Sequence, residues 1–347
     1  MDRAGRWFLA SGIQEASGGV ARFYRSDLAR NNPVSTEITG YAASTLVYLH
    51  DVTGDAAYLE RAVETAHFLT RTAWDSAALT FPFEYPDTAK LTYFFDCGII
   101  IRGLLAVWRA TRDREFLDSA LACGQGMLAD FDSGADFHPI LRLPGKEPLA
   151  RDARWSRSPG CYQLKSALGW YELAEETGDA NPRNAYVRLL ADAIASHREF
   201  LPGHADDDRV MDRLHAYCYF LEALLPYARR SPFTEEFGWG IDTVARLLHK
   251  IAPTFARSDV YAQLLRLRLF EIVPLDLEKA ESEARELANF QSSDPDIRVH
   301  GGFYFGKKDG ALLPFVNPVS TAFGLQALEM WRQRRSGTLK PCRHMLI

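Results

Sequence analysis

Short phrases of nearly the same wording recur along the chain, and they constrain its fold more than any other feature. Thr-Gly-Asp occurs at 53–55 and at 177–179, and Thr-Arg-Asp occurs at 111–113. Each phrase separates two segments whose apolar residues recur at helical spacing. The sequence therefore predicts helical hairpins with short turns.

Helical periodicity continues the same arrangement to the end of the chain. The first helical segment, 2–13, and the last, 319–334, have no partner beside them in sequence. Pairing them with each other gives six hairpins from twelve helices and closes a ring, which predicts an all-α (α/α)6 toroid. The other predicted pairs are 33–50 with 56–71, 94–111 with 114–130, 160–177 with 184–200, 210–228 with 235–251, and 258–273 with 277–290.

The two ends of the chain also share a phrase. Asn-Pro-Val-Ser-Thr occurs at 32–36 and again at 317–321. Asparagine is a good helix cap, and proline suits a first turn because its missing amide hydrogen has no partner there anyway. Each copy therefore predicts the start of an inner helix, and the two helices would meet where the ring closes. An open superhelix would need polar end caps, which Trp7 and Trp331 argue against.

The domain prediction follows from this count of helices. The toroid would form one domain over residues 1–334, because continuous repeats can bury a single core in a chain of 347 residues. The segment 335–347 is rich in arginine, lysine and proline and predicts a disordered tail.

Charge and hydropathy exclude two classes of partner. The net charge of -5 and the scattered lysines and arginines give no basic field for a nucleic acid. No apolar run approaches the roughly 18 residues of a membrane span, and the N-terminus lacks the apolar region of a signal peptide. A soluble cytoplasmic protein is expected, with its oligomeric state open.

Cysteine usage agrees with that compartment. The five cysteines are odd in number and widely spaced, and most fall in apolar helical segments. Buried thiols in a reducing compartment are therefore expected. No metal-ligand spacing is present, so neither a metal nor another cofactor is predicted.

Connection lengths predict where a site would lie. The connections at about 14–31, 72–93, 131–159 and 291–317 are long and lead from outer to inner helices. They would share one face with the N-terminal ends of the inner helices, which carry unpaired amides and partial positive charge. The two other connections on that face are short, which predicts a groove open on one side that could admit a polymer.

Two carboxylates are the candidate catalytic groups. Glu37 and Asp96 each fall in the first turn of a predicted inner helix, on adjacent hairpins. A carboxylate pair can divide the roles of general acid and general base. An acidic residue in a first turn also complements the helix dipole, so a purely structural role stays open. Glu37 is favoured because the second copy of the end phrase has Ala322 in its place.

The third long loop holds the densest polar and aromatic cluster. Arginine can grip a carboxylate or sulfate with two hydrogen bonds, and a tryptophan face can stack on a sugar ring. The alternative is a surface arginine loop that its tryptophan anchors to the barrel. The candidate binding residues are Arg154, Trp155, Arg157, Tyr162 and Lys165.

Three further binding candidates lie in the second half. His215 falls on a predicted inner helix, where a histidine is often a satisfied core residue instead. His300 and Tyr304 flank a glycine pair in the last long loop. The acidic triplet 206–208 reads as a solvated turn and helix start.

These motifs together resemble the α/α-toroid superfamily over almost the whole chain. They are the glutamine and glycine-pair stretches before 32–36 and 317–321, the hairpin phrases, and Trp155 to Lys165 before an inner helix. The superfamily includes six-hairpin glycosidases, uronyl hydrolases, polysaccharide lyases, sugar epimerases and terpenoid cyclases. The triplet 206–208 lacks the Asp-x-Asp-Asp spacing of the cyclases, the histidine pattern of the epimerases is not evident, and 157–162 departs from the uronyl hydrolase phrase.

The resemblance implies a carbohydrate-active enzyme. The hypothesis is cleavage of an anionic oligo- or polysaccharide, by glycoside hydrolysis or related lyase or epimerase chemistry. An isoprenoid or terpenoid cyclase is one alternative and would need a deep aromatic pocket with a buried acid. A non-catalytic glycan-binding or scaffold protein is another.

Overall fold

The computed structural model describes residues 2–347, and twelve α-helices dominate that part of the chain. Most of them begin and end within a few residues of the predicted segments. The helices are α1 (Asp2–Ala10), α2 (Thr36–Thr53), α3 (Ala56–His67), α4 (Phe94–Thr111), α5 (Arg114–Asp130), α6 (Leu164–Thr177), α7 (Ala180–Phe200), α8 (Asp207–Leu224), α9 (Phe233–Ile251), α10 (Ser258–Leu269), α11 (Leu277–Ala288) and α12 (Pro318–Arg335).

Strands of two or three residues lie between the helices and pair into small antiparallel sheets. Their orders are β11-β1-β2, β10-β9-β8, β3-β4 and β5-β6-β7. Four of them lead directly into a helix: β3 into α2, β5 into α4, β8 into α10 and β11 into α12. The strands are β1 (Tyr24–Arg25), β2 (Arg30–Asn31), β3 (Val34–Ser35), β4 (Glu84–Tyr85), β5 (Leu91–Tyr93), β6 (Ile140–Arg142), β7 (Glu147–Pro148), β8 (Phe255–Arg257), β9 (Gly306–Lys308), β10 (Ala311–Leu312) and β11 (Phe315–Val316).

The chain divides into two compact units. Unit 1 comprises Met1–Ile13, Phe23–Asn31 and Ser196–Ile347, and unit 2 comprises Gln14–Arg22 and Asn32–Ala195. The single domain over 1–334 therefore stays a prediction.

The hairpin phrases of unit 2 share one hydrogen-bond pattern. At the first, Gly54 lies in the left-handed region at φ 74° and donates its N–H to the His50 carbonyl. Asp55 then caps α3 by accepting from the Ala57 amide at 3.0 Å, and Thr53 Oγ1 accepts from the Asp55 amide at 3.2 Å. The same three bonds recur at 111–113 and 177–179. The predicted hairpins are confirmed, and each phrase both ends one helix and caps the next.

Close glycine contacts hold α2, α4 and α6 side by side in unit 2. A Cβ added at Gly103 would lie 2.4 Å from the Gly40 carbonyl oxygen. A Cβ at Gly98 would lie 2.2 Å from the Ser166 carbonyl oxygen, and one at Gly169 would lie 3.0 Å from the Gly98 carbonyl oxygen. The backbones are therefore too close for any side chain, and α3 and α5 pack behind these helices.

Unit 1 confirms that the first and last helices pair, because α1 packs against α12. Trp7 of α1 is buried and donates from Nε1 to the Arg298 carbonyl at 2.8 Å. Its ring lies under Gly302, where an added Cβ would come within 2.9 Å. In the same unit α8 and α12 pack on α10, with α9 against α8 and α11 against α10.

The end phrase behaves differently in its two copies. Asn317 caps α12, accepting from the Val319 amide at 2.8 Å, and Pro318 is the first helical residue. The first copy was predicted to do the same, and that prediction is wrong. Here Ser35 caps α2 and accepts from the Ile38 amide. A strand occupies 34–35, so the helix starts three residues later in the phrase than in the second copy.

The glycine-pair stretches are the true internal repeat. Gln14 donates from Nε2 to the Gly18 carbonyl, and Gln291 donates likewise to the Gly301 carbonyl. The Val20 amide donates to the side chain of Thr39, and the Phe303 amide donates to that of Thr321, each in the first turn or so of its helix. In this alignment of the two copies Thr39 is equivalent to Thr321. Glu37 is therefore equivalent to Val319 and not to Ala322.

The C-terminal segment is packed, contrary to the predicted disordered tail. Arg343–Met345 forms a short 3-10 turn, and Leu346 and Ile347 are buried. The Ile347 amide donates to Gln326 Oε1 at 3.2 Å. Two apolar side chains at the end of a polar segment are sufficient to dock it.

The glycine contacts predict a strong asymmetry between two helical glycines. Gly98→Ala places a methyl group against a backbone carbonyl, and we expect it to lower the free energy of unfolding by about 1–3 kcal/mol or more. Gly238→Ala on α9 meets only the Val273 side chain at 3.2 Å, and alanine favours helix by up to about 1 kcal/mol. Urea denaturation of both variants measures this, and equal effects would contradict the packing described.

Candidate active site

Glu37 and Asp96 lie in the first turns of two neighbouring helices. Glu37 is the second residue of α2, and Asp96 is the third residue of α4. Strands β3 and β5 lead into these helices and fix where each begins. Gly40, about one turn after Glu37, lies against the backbone of Ile99 and Ile100, about one turn after Asp96, so the turns that carry the carboxyl groups lie side by side.

Burial governs the charge of both carboxyl groups. Asp96 is 4% exposed, and its Oδ2 is buried without a hydrogen-bond partner in the described chain. Desolvation, followed by the charge of Glu37, raises the pKa of Asp96 well above its usual range. Glu37 is half-buried, and desolvation raises its pKa to about 7, while Arg22 acts in the opposite direction.

The two groups therefore titrate as a pair. A negative charge on either one disfavours a charge on the other, so near neutral pH the pair retains a proton. Because Asp96 is the more deeply buried of the two, burial favours the protonated form of its carboxyl more strongly than that of Glu37. Such an arrangement offers one proton donor and one proton acceptor in the same place.

Aromatic rings surround this pair. Phe83 and Tyr93 lie 4.9 Å apart between ring centroids, and Phe95 lies 6.3 Å from Tyr162. Trp155 packs edge-on against Tyr162 at 5.0 Å. All but Tyr162 are half-buried, so they present ring surface to solvent at the helix starts.

Three arginines place positive charge in the same region. Arg22 is exposed, lies over the Phe83 ring at 4.7 Å, and has no ion pair with any residue between 2 and 347. Burial and then Asp96 raise the pKa of Tyr93, and Arg157, Arg22 and Arg154 oppose that shift, which places all three near it. Arg154 and Arg157 also pair with Asp152.

The structure thus brings Arg154, Trp155, Arg157 and Tyr162 to the region of the acid pair. Lys165 is different, because its side chain is fully buried and offers no surface to a ligand.

Sequence reasoning missed Arg22, Phe83, Tyr93 and Phe95. Tyr93 and Phe95 flank the start of α4 beside Asp96, so their proximity could have been read from the helix start. Nothing local identifies Phe83 or Arg22, because both lie in loops that reach α2 only in the folded chain.

His215 belongs to a second polar cluster, in unit 1. Its Nδ1 lies 2.7 Å from Gln263 Oε1 and 3.5 Å from Asp259 Oδ2, and these two acceptors favour the tautomer with the hydrogen on Nδ1. Burial lowers the pKa of His215 to about 4, while Asp259 acts in the opposite direction. The imidazole is therefore neutral at physiological pH. The Nε2 of Gln263 is buried without a partner in the described chain.

The pKa of the carboxyl group at the same helical position shifts in opposite directions in the two units. Asp259 is the second residue of α10, as Glu37 is of α2. Burial alone would raise the pKa of Asp259, but Arg257 binds it through Nε at 3.0 Å and Nη2 at 2.6 Å, and the pKa is lowered. Arg257 also binds Asp212 at 2.7 Å. Glu37 has no such partner in the described chain.

The two remaining candidates, His300 and Tyr304, lie in unit 1. His300 Nδ1 lies 2.9 Å from the Asp294 carbonyl within its own loop. The Tyr304 carbonyl accepts from Ser258 Oγ at 2.7 Å, and its side chain is half-buried. Asp206 caps α8 by accepting from the Asp208 amide at 2.9 Å.

Residues 2–347 contain neither a candidate metal-binding cluster nor a membrane-spanning helix. No group of three or more histidine, cysteine, aspartate or glutamate side chains in residues 2–347 could hold a metal ion. Within the same range, every helix is too short or too polar to cross a bilayer. All five cysteines are free, and four of them are buried.

Solved structures share this arrangement of helices. Cellobiose 2-epimerase from Spirochaeta thermophila superposes with a TM-score of 0.73 at 15% identity, covering 96% of this chain and 95% of its own. A D-mannose isomerase gives 0.71 at 10% identity, covering 96% and 97%. An unsaturated glucuronyl hydrolase from a Bacillus species gives 0.65 at 14% identity, covering 97% of each chain.

These neighbours are α/α-toroid enzymes, so the chain has the predicted all-α (α/α)6 toroid fold. At sequence level, no protein-family model matches the chain. No curated protein matches it either.

The raised pKa of Glu37 predicts a pH-dependent stability difference. Its folded-state pKa lies above its unfolded value, so ionisation in the folded state costs stability as pH rises from 4.5 through about 7. Glu37→Gln removes this cost. We expect it to match wild type near pH 4 and to be more stable at pH 8 by up to about 3 kcal/mol.

Chemical denaturation across this pH range measures the difference. Glu64→Gln on α3, an exposed site, controls for the loss of one negative charge. A Glu37→Gln difference that does not grow with pH would show that Glu37 is not desolvated.

Proposed function

We propose that the protein is a carbohydrate-active enzyme that hydrolyses a glycosidic bond in an anionic oligo- or polysaccharide, with Glu37 and Asp96 as its acid–base pair. The observation that carries the proposal is the coupled pair itself. The pKa of the buried Asp96 is raised well above its usual range, and that of the half-buried Glu37 is raised to about 7. The solved epimerase, isomerase and glucuronyl hydrolase with this fold support a saccharide substrate.

Asp96 supplies the proton in this mechanism. It donates to the glycosidic oxygen as the bond to the anomeric carbon breaks, and the leaving sugar departs as an alcohol. Glu37 accepts a proton from a water molecule, whose oxygen forms the new bond to the anomeric carbon. The reaction leaves the pair with the proton on the other carboxyl, and exchange with solvent restores the starting state.

The surrounding residues suit an anionic sugar. Phe83, Tyr93 and Trp155 present ring surface on which sugar rings can stack. Arg22 has no anionic partner in residues 2–347, so its guanidinium is free to bind a carboxylate or sulfate. Arg157 adds a second cation nearby. We place the enzyme in the cytoplasm, where its free cysteines stay reduced.

Single substitutions in the pair test the mechanism. We expect Asp96→Asn and Glu37→Gln each to lower kcat at least about 100-fold on uronic-acid oligosaccharides, the usual size of a general acid–base contribution. Arg22→Gln should raise KM for charged substrates more than for their neutral analogues. Product analysis by mass spectrometry over a glycan panel measures both effects.

The control is Glu64→Gln, which should retain wild-type turnover. Full activity in both carboxyl variants would overturn the assignment. Oligosaccharide binding by calorimetry without any change of length would indicate a glycan-binding protein. Conversion of terpenoid precursors would indicate a cyclase.

A second candidate function rests on His215. Its neutral imidazole has Nε2 free of hydrogen, so it can abstract a proton from a carbon next to a sugar carbonyl. Protonation of the resulting enolate from the opposite face, by solvent or a second acid, would epimerise the sugar. Epimerases and an isomerase among the solved structures of this fold favour this alternative.

Isotope exchange separates the two candidates. If His215 is the base, reducing disaccharides incubated in heavy water should gain deuterium at C2. His215→Gln should slow this exchange at least 100-fold. Asp96→Asn should leave the exchange intact. Hydrolysis without exchange by the wild type would instead exclude the His215 reaction.

A further inference from the structure

A cavity of about 880 Å³ lies in unit 1 between α9 and α11, with α10 as its floor and the β9–β10 hairpin at one end. This volume falls within the usual range for small-molecule sites. None of its lining residues belongs to the acid pair or to the His215 cluster. It is therefore a separate feature of the molecule.

The floor and walls of the cavity are largely apolar. Leu248 of α9, Leu264 of α10 and Phe290 after α11 line it and are buried. Leu312 of the hairpin is 44% exposed at its rim, and Ala245 is half-buried on the α9 side. A ligand that enters here would bury an apolar body.

One buried cation in this cavity is incompletely bonded. Arg268 is 7% exposed, and its Nε donates to both Glu283 oxygens, at 2.8 and 2.9 Å. Its two terminal nitrogens make no hydrogen bond with any residue that the structure describes, and Nη2 is buried. An unbonded guanidinium edge in an apolar site is costly unless an acceptor meets it.

The usual acceptor for that edge is an oxyanion. The two terminal nitrogens of a guanidinium match the spacing of two carboxylate oxygens. Glu283 uses only Nε, which leaves both terminal nitrogens without an acceptor among residues 2–347. Burial raises the pKa of Glu283 to about 7 despite Arg268, so near neutral pH this glutamate neutralises the guanidinium only in part. Arg246 and Lys307 stand exposed at the rim.

We propose that this cavity binds a small amphipathic carboxylate, with its head on the terminal nitrogens of Arg268 and its aliphatic chain against Leu248, Leu264 and Phe290. The site does not depend on the acid pair or on the proposed glycan chemistry. It gives the protein a second ligand, of a class unrelated to its saccharide substrate.

Calorimetric titration of the full chain with three eight-carbon probes tests the proposal. Octanoate, octylammonium and octanol share one chain length and differ in the charge of the head, and all are used below their micellar or solubility limits. We expect one octanoate site that binds at least tenfold more tightly than either of the other probes. Equal binding of octanoate and octylammonium, or no octanoate binding, overturns the proposal.

Two variants locate the site. Arg268→Met combined with Glu283→Gln removes both partners of the buried pair. This double variant should bind octanoate at least tenfold more weakly than wild type does, with unchanged affinity for octanol. Ala245→Trp fills the cavity from α9 and should abolish binding of all three probes even if the double variant fails to fold. Arg285→Met, on the exposed side of α11, is the matched control and should bind octanoate as wild type does. Undiminished octanoate binding in Ala245→Trp would place the ligand elsewhere.

Discussion

Backbone contact between helices is the constraint on which the rest of unit 2 depends. Gly40 and Gly103 let α2 and α4 touch, and Gly98 and Gly169 do the same for α4 and α6. Side chains of ordinary size would separate these helices by several ångströms. The close approach brings the first turns of α2 and α4 together, and with them two carboxyl groups. Close packing at glycine residues thus creates the electrostatic interaction between Glu37 and Asp96.

Desolvation then sets what the carboxyl groups can do. Glu37 and Asp259 occupy the same position in their helices, but only Asp259 has an arginine bonded to it. Asp259 is accordingly held ionised, whereas Glu37 titrates near neutrality. An ion-paired carboxylate is a structural element, and an unpaired one beside a second acid can transfer protons. The difference lies in one neighbouring side chain, that of Arg257, the last residue of β8.

Several elements could be predicted from sequence because their signals are local. The hairpin phrases specify both the end of one helix and the cap of the next, so α4 and α5 were predicted to the residue. The predicted N-terminal boundary of α2 is wrong because the Asn-Pro-Val-Ser-Thr phrase at 32–36 contains strand β3, and the helix begins only at Thr36. Strand β3 forms by pairing with β4, whose residues lie about fifty positions further along the chain. The buried end of the chain was missed for a similar reason, since Gln326 reaches Ile347 only after folding.

The sequence by itself determined the class of fold, the number of helices and the two carboxylates worth testing, because helical period, turn chemistry and first-turn positions are properties of short segments. Only the tertiary structure decided that burial raises the pKa of both carboxyl groups, that Phe83 and Arg22 lie beside them, and that Lys165 is buried. Burial and charge coupling depend on which segments meet in space, and chain spacing does not encode that distance.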